Sequence, residues 1–243
     1  LTIFMAVPTV YVKLLAAWER AGFDDQKKMS NACSGFRLMV SGSAALPVKV
    51  FEKWREVSHQ SLLERYGMTE IGMALSNPLL GERRPGFVGT PLPGVRVRLV
   101  DESGQEIQEE GRSGELQVKG PSVFLGYWGN SEATERAFID GWFQTGDIAL
   151  TERGSYRILG RKSVDIIKSG GFKVSALEIE EVLRNHPVIQ ECAVVGIDDE
   201  EWGERVCAVV VMKPDYSLSL QELREWSRQR MAIYKVPTRL LFL

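Results

Sequence analysis

Apolar and polar positions change rhythm three times along this chain. Ile3 to Val7 is a short apolar run and reads as a strand. The segment PTVYVKLLAAWERAG follows with Tyr11, Leu14, Leu15 and Trp18 on one helical face and Thr9 at its capping position. Phe36 to Val40 is strand-like again. LPVKVFEKWREVS is helical, with Pro47 in its first turn and Val50, Phe51, Trp54 and Val57 as a stripe. SLLERY makes a third strand. Strand–helix–strand–helix–strand predicts a parallel sheet with covering helices, and such sheets take ligands at the carboxyl ends of their strands. Two loops follow strands there directly, Ser41–Pro47 and Gly67–Glu70.

From about Arg83 the period drops to two. GVRVRLVDESGQEI alternates and turns at Glu102–Gly104; GELQVKG and YRILGR are further short strands. This predicts a small antiparallel barrel or sheet, interrupted by a short helix, SEATERAF, with Ser131 as N-cap. After Gly160 the chain reads as a compact α+β unit. ALEIEEVLRNHP and SLQELREWSRQRM are helices, the second with a Ser219/Glu222 capping box, and ECAVVGI and RVCAVVVMK are strands.

Composition narrows the function classes. The 243 residues suit one large domain or two modest ones, and 44% apolar content is enough for a core. A net charge of −2 with both signs interspersed argues against a nucleic-acid or membrane-surface partner. Cys33, Cys192 and Cys207 are odd in number and widely spaced, so neither a disulfide nor a cysteine metal site is expected, and a reducing compartment is. No run reaches the roughly 18–20 apolar residues of a membrane span. LTIFMAVPTV lacks a basic leader and an initiator Met, and reads as a core strand. Both ends read as cut from a longer chain.

Four polar constellations could carry chemistry. Ser41-Gly-Ser-Ala-Ala45 is small enough for a ligand to approach the backbone, or is an ordinary strand-to-helix turn. In Tyr66-Gly-Met-Thr-Glu70, a hydroxyl suits a phosphate oxygen and a carboxylate suits Mg²⁺, which takes one or two carboxylates plus substrate phosphates. The alternative is a helix N-cap at Thr69. In Gly141-Trp-Phe-Gln-Thr-Gly-Asp147, the aspartate either makes an Asx-turn or accepts from a ribose diol. Gly160 to Glu180 joins the barrel-like part to the terminal unit and contains Gly170-Gly171, which can turn sharply or admit a ligand.

Order and spacing make the set specific. YGMTE, GWFQTGD, GR…D.IK.GG.KV…EIE and SGSAAL together resemble the motifs of the adenylate-forming superfamily: acyl-CoA synthetases, luciferases and peptide-synthetase adenylation domains. The resemblance covers essentially the whole chain. It implies an α/β fold in parts: residues 1–82 as the C-terminal part of a large parallel-sheet α/β subdomain, and 83–159 as a β-barrel-like subdomain. A hinge at 160–166 and a truncated α+β lid at 167–243 complete it. It implies ATP, Mg²⁺ and coenzyme A as ligands. Thr69 would touch the α-phosphate and Glu70 would bind the metal. Ser43, Ala44, Ala45, Tyr66 and Gly67 would flank adenine. Asp147 would hold the ribose, with Arg161 as a second contact. Gly170, Gly171 and Lys173 of the lid would border the thiol. The pivot would lie in Lys162 to Asp165. The family's phosphate loop and final catalytic lysine are not in the chain, and Lys235 matches only the approach to that lysine, so residues 1–243 alone are expected to lack adenylation activity.

YGMTEIGMALSNPLLGERRPGFVG further resembles malonyl-CoA synthetases. A small diacid's second carboxylate needs a cation, and an arginine fork suits it. Arg83 or Arg84 is that candidate, with Met73 and Ser76 shaping a short pocket; the alternative is that both arginines are surface charges. Malonate is the expected acid, with methylmalonate tolerated. The terminal unit resembles an animal mitochondrial branch, which implies the matrix. Alternatives are a medium- or long-chain fatty acyl-CoA synthetase, an adenylation domain loading a carrier protein, and a non-catalytic interaction module. His59 and His186 end helices and read as structural; Trp18, Trp54 and Trp226 read as packing. Trp202-Gly-Glu204 resembles a family loop and is given no catalytic role.

Overall fold

The protein is described from a computed structural model that covers residues 2–243. It divides into two compact units: residues to Thr145 with Ala149–Ile158, and Gly146–Ile148 with Leu159–Leu243.

The first unit opens with β1 (Ile3–Ala6), α1 (Pro8–Arg20), α2 (Phe23–Ser34), β2 (Leu38–Ser41), α3 (Val48–Ser58) and β3 (Leu63–Met68). β1 pairs with β2 in parallel, Ile3 opposite Leu38, and β2 with β3 in parallel, Ser41 opposite Glu64. The apolar stripes drive this. Tyr11 and Leu15 of α1 and Phe51, Trp54 and Val57 of α3 bury against Met39, Leu46 and Leu62. Tyr11 meets Trp54 edge-to-face at 4.9 Å and donates to the Val40 carbonyl at 2.7 Å. Thr9 is not the cap of α1. Pro8 takes the first helical position, where its missing N–H costs nothing, so Val7 is the cap. α2 was not legible in the pattern: FDDQKKMSNACS buries no residue and carries no stripe.

At β3 the sheet changes sense. β4 (Gly72–Ser76) pairs antiparallel with β3, and β5 (Thr90–Pro91) antiparallel with β4. The curled sheet follows: β6 (Arg96–Val100), β7 (Glu106–Ile107), β8 (Gly114–Lys119), α4 (Ser131–Arg136), β9 (Phe138–Ile139), β10 (Trp142–Glu152) and β11 (Ser155–Arg161). Its order is β11-β10-β8-β6-β7, with β9 on β10. Leu99, Leu116, Val118, Phe143 and Ala149 form its core with Ile71 and Leu75. Asn130, not Ser131, caps α4; its side chain accepts from the Ala133 N–H at 3.0 Å.

The second unit adds β12 (Ile166–Ser169), β13 (Phe172–Ser175), α5 (Ala176–Leu183), β14 (Ile189–Asp199), β15 (Gly203–Met212), α6 (Leu220–Arg228) and β16 (Arg239–Phe242). β13-β12-β15-β14 is antiparallel throughout, and β16 joins β15 in parallel. Ile167, Ile179, Leu183, Val206, Val210 and Leu223 fill its core. The Ser219/Glu222 capping box is present.

Candidate functional site

Thr69 and Glu70 do not cap a helix. They form the tip of the β3–β4 hairpin, closed by the Ile71 N–H donating to the Met68 carbonyl at 3.1 Å. Ile71 decides this geometry: its side chain is fully buried in the curled-sheet core, so the turn folds back at once. Thr69 is left exposed and Glu70 half-buried. The register slips between Tyr66 and Gly67, and a Cβ at Gly67 would collide with the Gly72 carbonyl oxygen. Only glycine fits there.

A second loop holds the carboxylate. The Phe124 N–H donates to the Glu70 carbonyl at 2.8 Å, and the Tyr127 hydroxyl donates to Glu70 Oε1 at 3.2 Å. Phe124 is packed against Phe138, Phe143 and the Tyr127 ring, the last at 4.8 Å. Thr134 Oγ1 accepts from the Tyr127 N–H at 2.9 Å. Tyr127 is the site residue that the sequence reading missed. A Cβ at Gly126 would come within 2.7 Å of Thr134, a close approach that fixes the tyrosine beside it.

The Ser41–Pro47 loop leaves β2 beside this strand. Ser43, at φ 69°, and Ala44 and Ala45 are exposed, while Leu46 is buried and anchors the loop. A Cβ at Gly42 would lie 2.7 Å from the Arg65 guanidinium carbon. Ser41, Gly42 and Arg65 thus bring the small-residue loop against β3, one residue before Tyr66. Ser41 Oγ and Arg65 Nε are buried without a partner among the described residues.

Asp147 is not in an Asx-turn. It lies inside β10, largely buried, and its Oδ1 sits 3.2 Å from Arg161 Nη1. Gly146 clears the path: at φ 72°, its Cβ would stand 3.2 Å from that nitrogen. The Lys162 N–H donates to the Gly146 carbonyl at 2.9 Å. The Asp165 carboxylate accepts from the Arg161 N–H at 2.7 Å, and the Asp165 N–H donates to the Arg161 carbonyl at 2.8 Å. Residues 161–165 are therefore a closed turn, knotted by Asp165.

Arg83 and Arg84 stand differently from a free fork. Arg83 donates to the carbonyls of Pro78, Ser61 and Leu79 at 3.1, 2.5 and 2.8 Å. Burial lowers its pKa from the ordinary arginine value. Arg84 donates to the Glu152 carbonyl at 2.8 Å, lies 3.4 Å from that residue's carboxylate, and stacks on Phe87 at 3.7 Å. Met73 is exposed, and the Ser76 hydroxyl donates to the Asn77 carbonyl at 2.8 Å. In this structure both guanidinium groups hold the 77–87 loop, and both side chains are half-buried.

Gly170 and Gly171, at φ 55° and 82°, form the two-residue tip of the β12–β13 hairpin. Lys173 follows, exposed, on β13. Phe172 beside it stacks on Tyr234 at 4.4 Å.

Three cysteines and two histidines complete the titratable groups that the sequence singled out. Burial raises the pKa of all three thiols, Cys192 to about 11, so none is a ready thiolate. His59 ends α3 in the left-handed region, and the His186 ring packs on Trp226 at 4.7 Å. Among the described residues, no three His, Cys, Asp or Glu side chains gather as a metal group. No helix among them is long and apolar enough to cross a membrane.

Two sequence profiles match: AMP-binding enzyme over residues 1–128, and AMP-binding enzyme C-terminal domain over residues 178–243. The chain is 52% identical to the mitochondrial malonate–CoA ligase ACSF3 of Xenopus laevis, over 99% of this chain and 46% of that protein. It therefore spans about half the length of the curated relatives it matches. Among solved structures, it aligns with ATP-bound MatB from Rhodopseudomonas palustris at a TM-score of 0.89 and 39% identity, over all of this chain and 47% of that one. A malonyl-CoA ligase ternary product complex with methylmalonyl-CoA and AMP aligns at 0.61 and 40% identity, over all of this chain and 52% of that one. The chain belongs to the AMP-binding enzyme family, whose adenylate-forming fold it shares.

Proposed function

We propose that this chain is part of an ATP-dependent acid–thiol ligase that activates malonate, with methylmalonate accepted, and passes the acyl group to coenzyme A. An acid oxygen attacks the α-phosphorus of ATP, and pyrophosphate leaves. The coenzyme A sulfur then attacks the acyl carbon, and AMP leaves. The protein positions the reactants and neutralises charge at the phosphorus.

The observation that carries this reading is the Thr69–Glu70 turn. Its carboxylate is oriented by Tyr127 and its main chain by Phe124, so Glu70 is held before any ligand arrives. One oxygen faces Tyr127, which leaves the other for Mg²⁺. A single carboxylate fits a metal that takes its remaining ligands from phosphate and water. When bound, Mg²⁺ would offset phosphate charge. Thr69 donates to the α-phosphate. The Ser43–Ala45 loop, Tyr66 and Gly67 flank the adenine, and Asp147 with Arg161 receives the ribose hydroxyls. The Gly170–Gly171 turn and Lys173 border the thiol.

Malonate rests on the resemblance to malonate–CoA ligases, as does a mitochondrial matrix location. Arg83 and Arg84 act on the acid by fixing the 77–87 loop near Met73 and Ser76 and by their charge. Their engagement with main-chain carbonyls is the observation that favours a second reading, a fatty acyl-CoA synthetase. ATP–pyrophosphate exchange by the full-length protein across malonate, methylmalonate and medium- and long-chain fatty acids separates them. Exchange driven by the small diacids, with a malonate KM raised in Arg84→Ala or Arg83→Ala and an unchanged ATP KM, supports malonate. Exchange driven by fatty acids with unchanged malonate kinetics in both variants removes it.

A further inference from the structure

The 77–87 loop begins and ends on one buried residue. Glu64 stands where the sheet changes sense: it faces Ser41 of β2 in parallel, and the next residue, Arg65, faces Ser76 of β4 in antiparallel. The Glu64 carbonyl accepts from the Asn77 N–H at 3.0 Å and from Asn77 Nδ2 at 3.2 Å, which fixes the start of the loop. The Glu64 carboxylate accepts from the Gly86 N–H at 3.0 Å, which fixes its end. Asn77 joins the two ends a second time, donating from Nδ2 to the Phe87 carbonyl at 2.5 Å.

This neck is dry and tight. Glu64 is 6% exposed and Asn77 5%. Gly86 takes φ 77°, and a Cβ at Gly89 would fall 2.0 Å from the Ser76 carbonyl oxygen, so the returning chain lies flush against the end of β4. The Ser76 hydroxyl is turned by the same neck, since it donates to the Asn77 carbonyl. Between the tied ends, Arg83 and Arg84 reach out to the carbonyls of Ser61 and Glu152. Burying a carboxylate is unfavourable unless its oxygens are satisfied. An apolar side chain would fill the same space without that penalty, but it could not hold the Gly86 N–H.

We infer that Glu64 and Asn77 are positioning residues for acid selectivity: they fix the neck of the 77–87 loop, and so the depth of the pocket that Met73, Ser76 and the two arginines border. This deepens the reading above and rests on it, since that reading places the acid at this loop. Glu64 is itself an anion and would repel a carboxylate in contact with it, so it acts through the loop.

The test uses the full-length enzyme, with ATP–pyrophosphate exchange driven by malonate or by succinate, which is one methylene longer. Glu64→Ala releases the Gly86 N–H. It should raise the malonate KM about tenfold and leave the ATP KM within about twofold, because the loop and not the nucleotide loses its place. The preference for malonate over succinate should narrow about tenfold, within the range that one methylene commands in a fitted pocket. Glu64→Gln keeps an acceptor oxygen at the neck and should restore most of both. Asn77→Ser leaves the carboxylate's bond and removes the Nδ2 bridge. It should move the same two readouts in the same direction, and it carries the test if Glu64→Ala does not fold. The double variant should fall short of the product of the single effects, since both act on one neck. If the wild-type enzyme exchanges with fatty acids and not with malonate, the reading above fails and takes the inference with it. If malonate drives exchange and neither single variant moves the malonate KM or the preference, the inference fails and the reading stands. Malonate and ATP KM rising together at an unchanged preference would show a merely structural neck and overturn the positioning role, as would a loss in Glu64→Gln equal to that in Glu64→Ala.

Discussion

The Thr69–Ile71 turn of the first unit and the Gly170–Gly171 turn of the second are both hairpin tips, yet one is crowded and the other bare. The first presents a hydroxyl and a carboxylate. It is pinned beneath by a buried isoleucine and from the side by Tyr127 and the Phe124 amide. The second presents backbone only, and is pinned on one flank by the Trp202 indole. The difference follows from the chemistry proposed for each. A phosphate and its metal need charge at a fixed point, so side chains are held there. A thiol arm needs passage, so side chains are removed. Glycine serves both turns for different reasons: Gly67 because the opposite strand comes too close, Gly170 and Gly171 because the turn needs positive φ.

The comparison breaks most readily at Gly67. Gly67→Ala forces a methyl into the Gly72 carbonyl, and the hairpin must open. Adenylation by the full-length enzyme should fall by more than about 100-fold, with a lower Tm, because the carboxylate loses its place. Exchange kinetics and a thermal melt check both. Gly171→Ala should be milder. Its methyl meets open space, so the cost is the left-handed backbone alone, about 1–2 kcal/mol. Loss should appear in thiol transfer and not in exchange. Tyr127→Phe removes a single hydrogen bond to Glu70. About a three- to tenfold fall in exchange, eased by extra Mg²⁺, is expected from one such bond; an unchanged Mg²⁺ requirement would detach Tyr127 from the metal.

The smallest effect concerns pH. Burial lowers the His186 pKa; the Arg230 and Lys213 charges lower it further, and Glu222 opposes them. The folded state therefore binds its proton less readily than the unfolded chain, whose histidine titrates near ~6.5. The stability that neutral His186 contributes is full above that value and is lost as pH falls below it. The Tm of the second unit should drop between neutral pH and about pH 5.5, and His186→Asn should flatten that slope. An equal slope in the variant would assign the loss elsewhere.

Much of the fold was legible in the residues, for a definite reason. Tyr11, Phe51, Trp54 and Val57 are spaced for one buried face, and burial is what a hydrophobic stripe reports. The same signal fails where a helix buries nothing, as in α2. It gives no strand either for Ile166–Ser169 and Phe172–Ser175, where charged Lys168 and Lys173 interrupt the apolar positions beside the double glycine. Thr69 looked like a helix cap because a hydroxyl and a carboxylate after glycine fit either structure; the buried side chain of Ile71 decides for the hairpin. Tyr127 could not be found from local pattern at all, since its contact with Glu70 spans 57 positions. The partners of Arg83 and Arg84 were hidden likewise, because main-chain carbonyls leave no mark in sequence.

The most direct measurement of the central claim follows a single turnover with malonate in the full-length enzyme and times adenylate formation and transfer separately. Glu70→Gln should slow adenylate formation by about 100-fold or more and leave transfer from preformed malonyl-adenylate near normal, with the opposite pattern in Gly171→Ala. If both variants slow the same step, the two turns do not divide the chemistry, and the account is wrong.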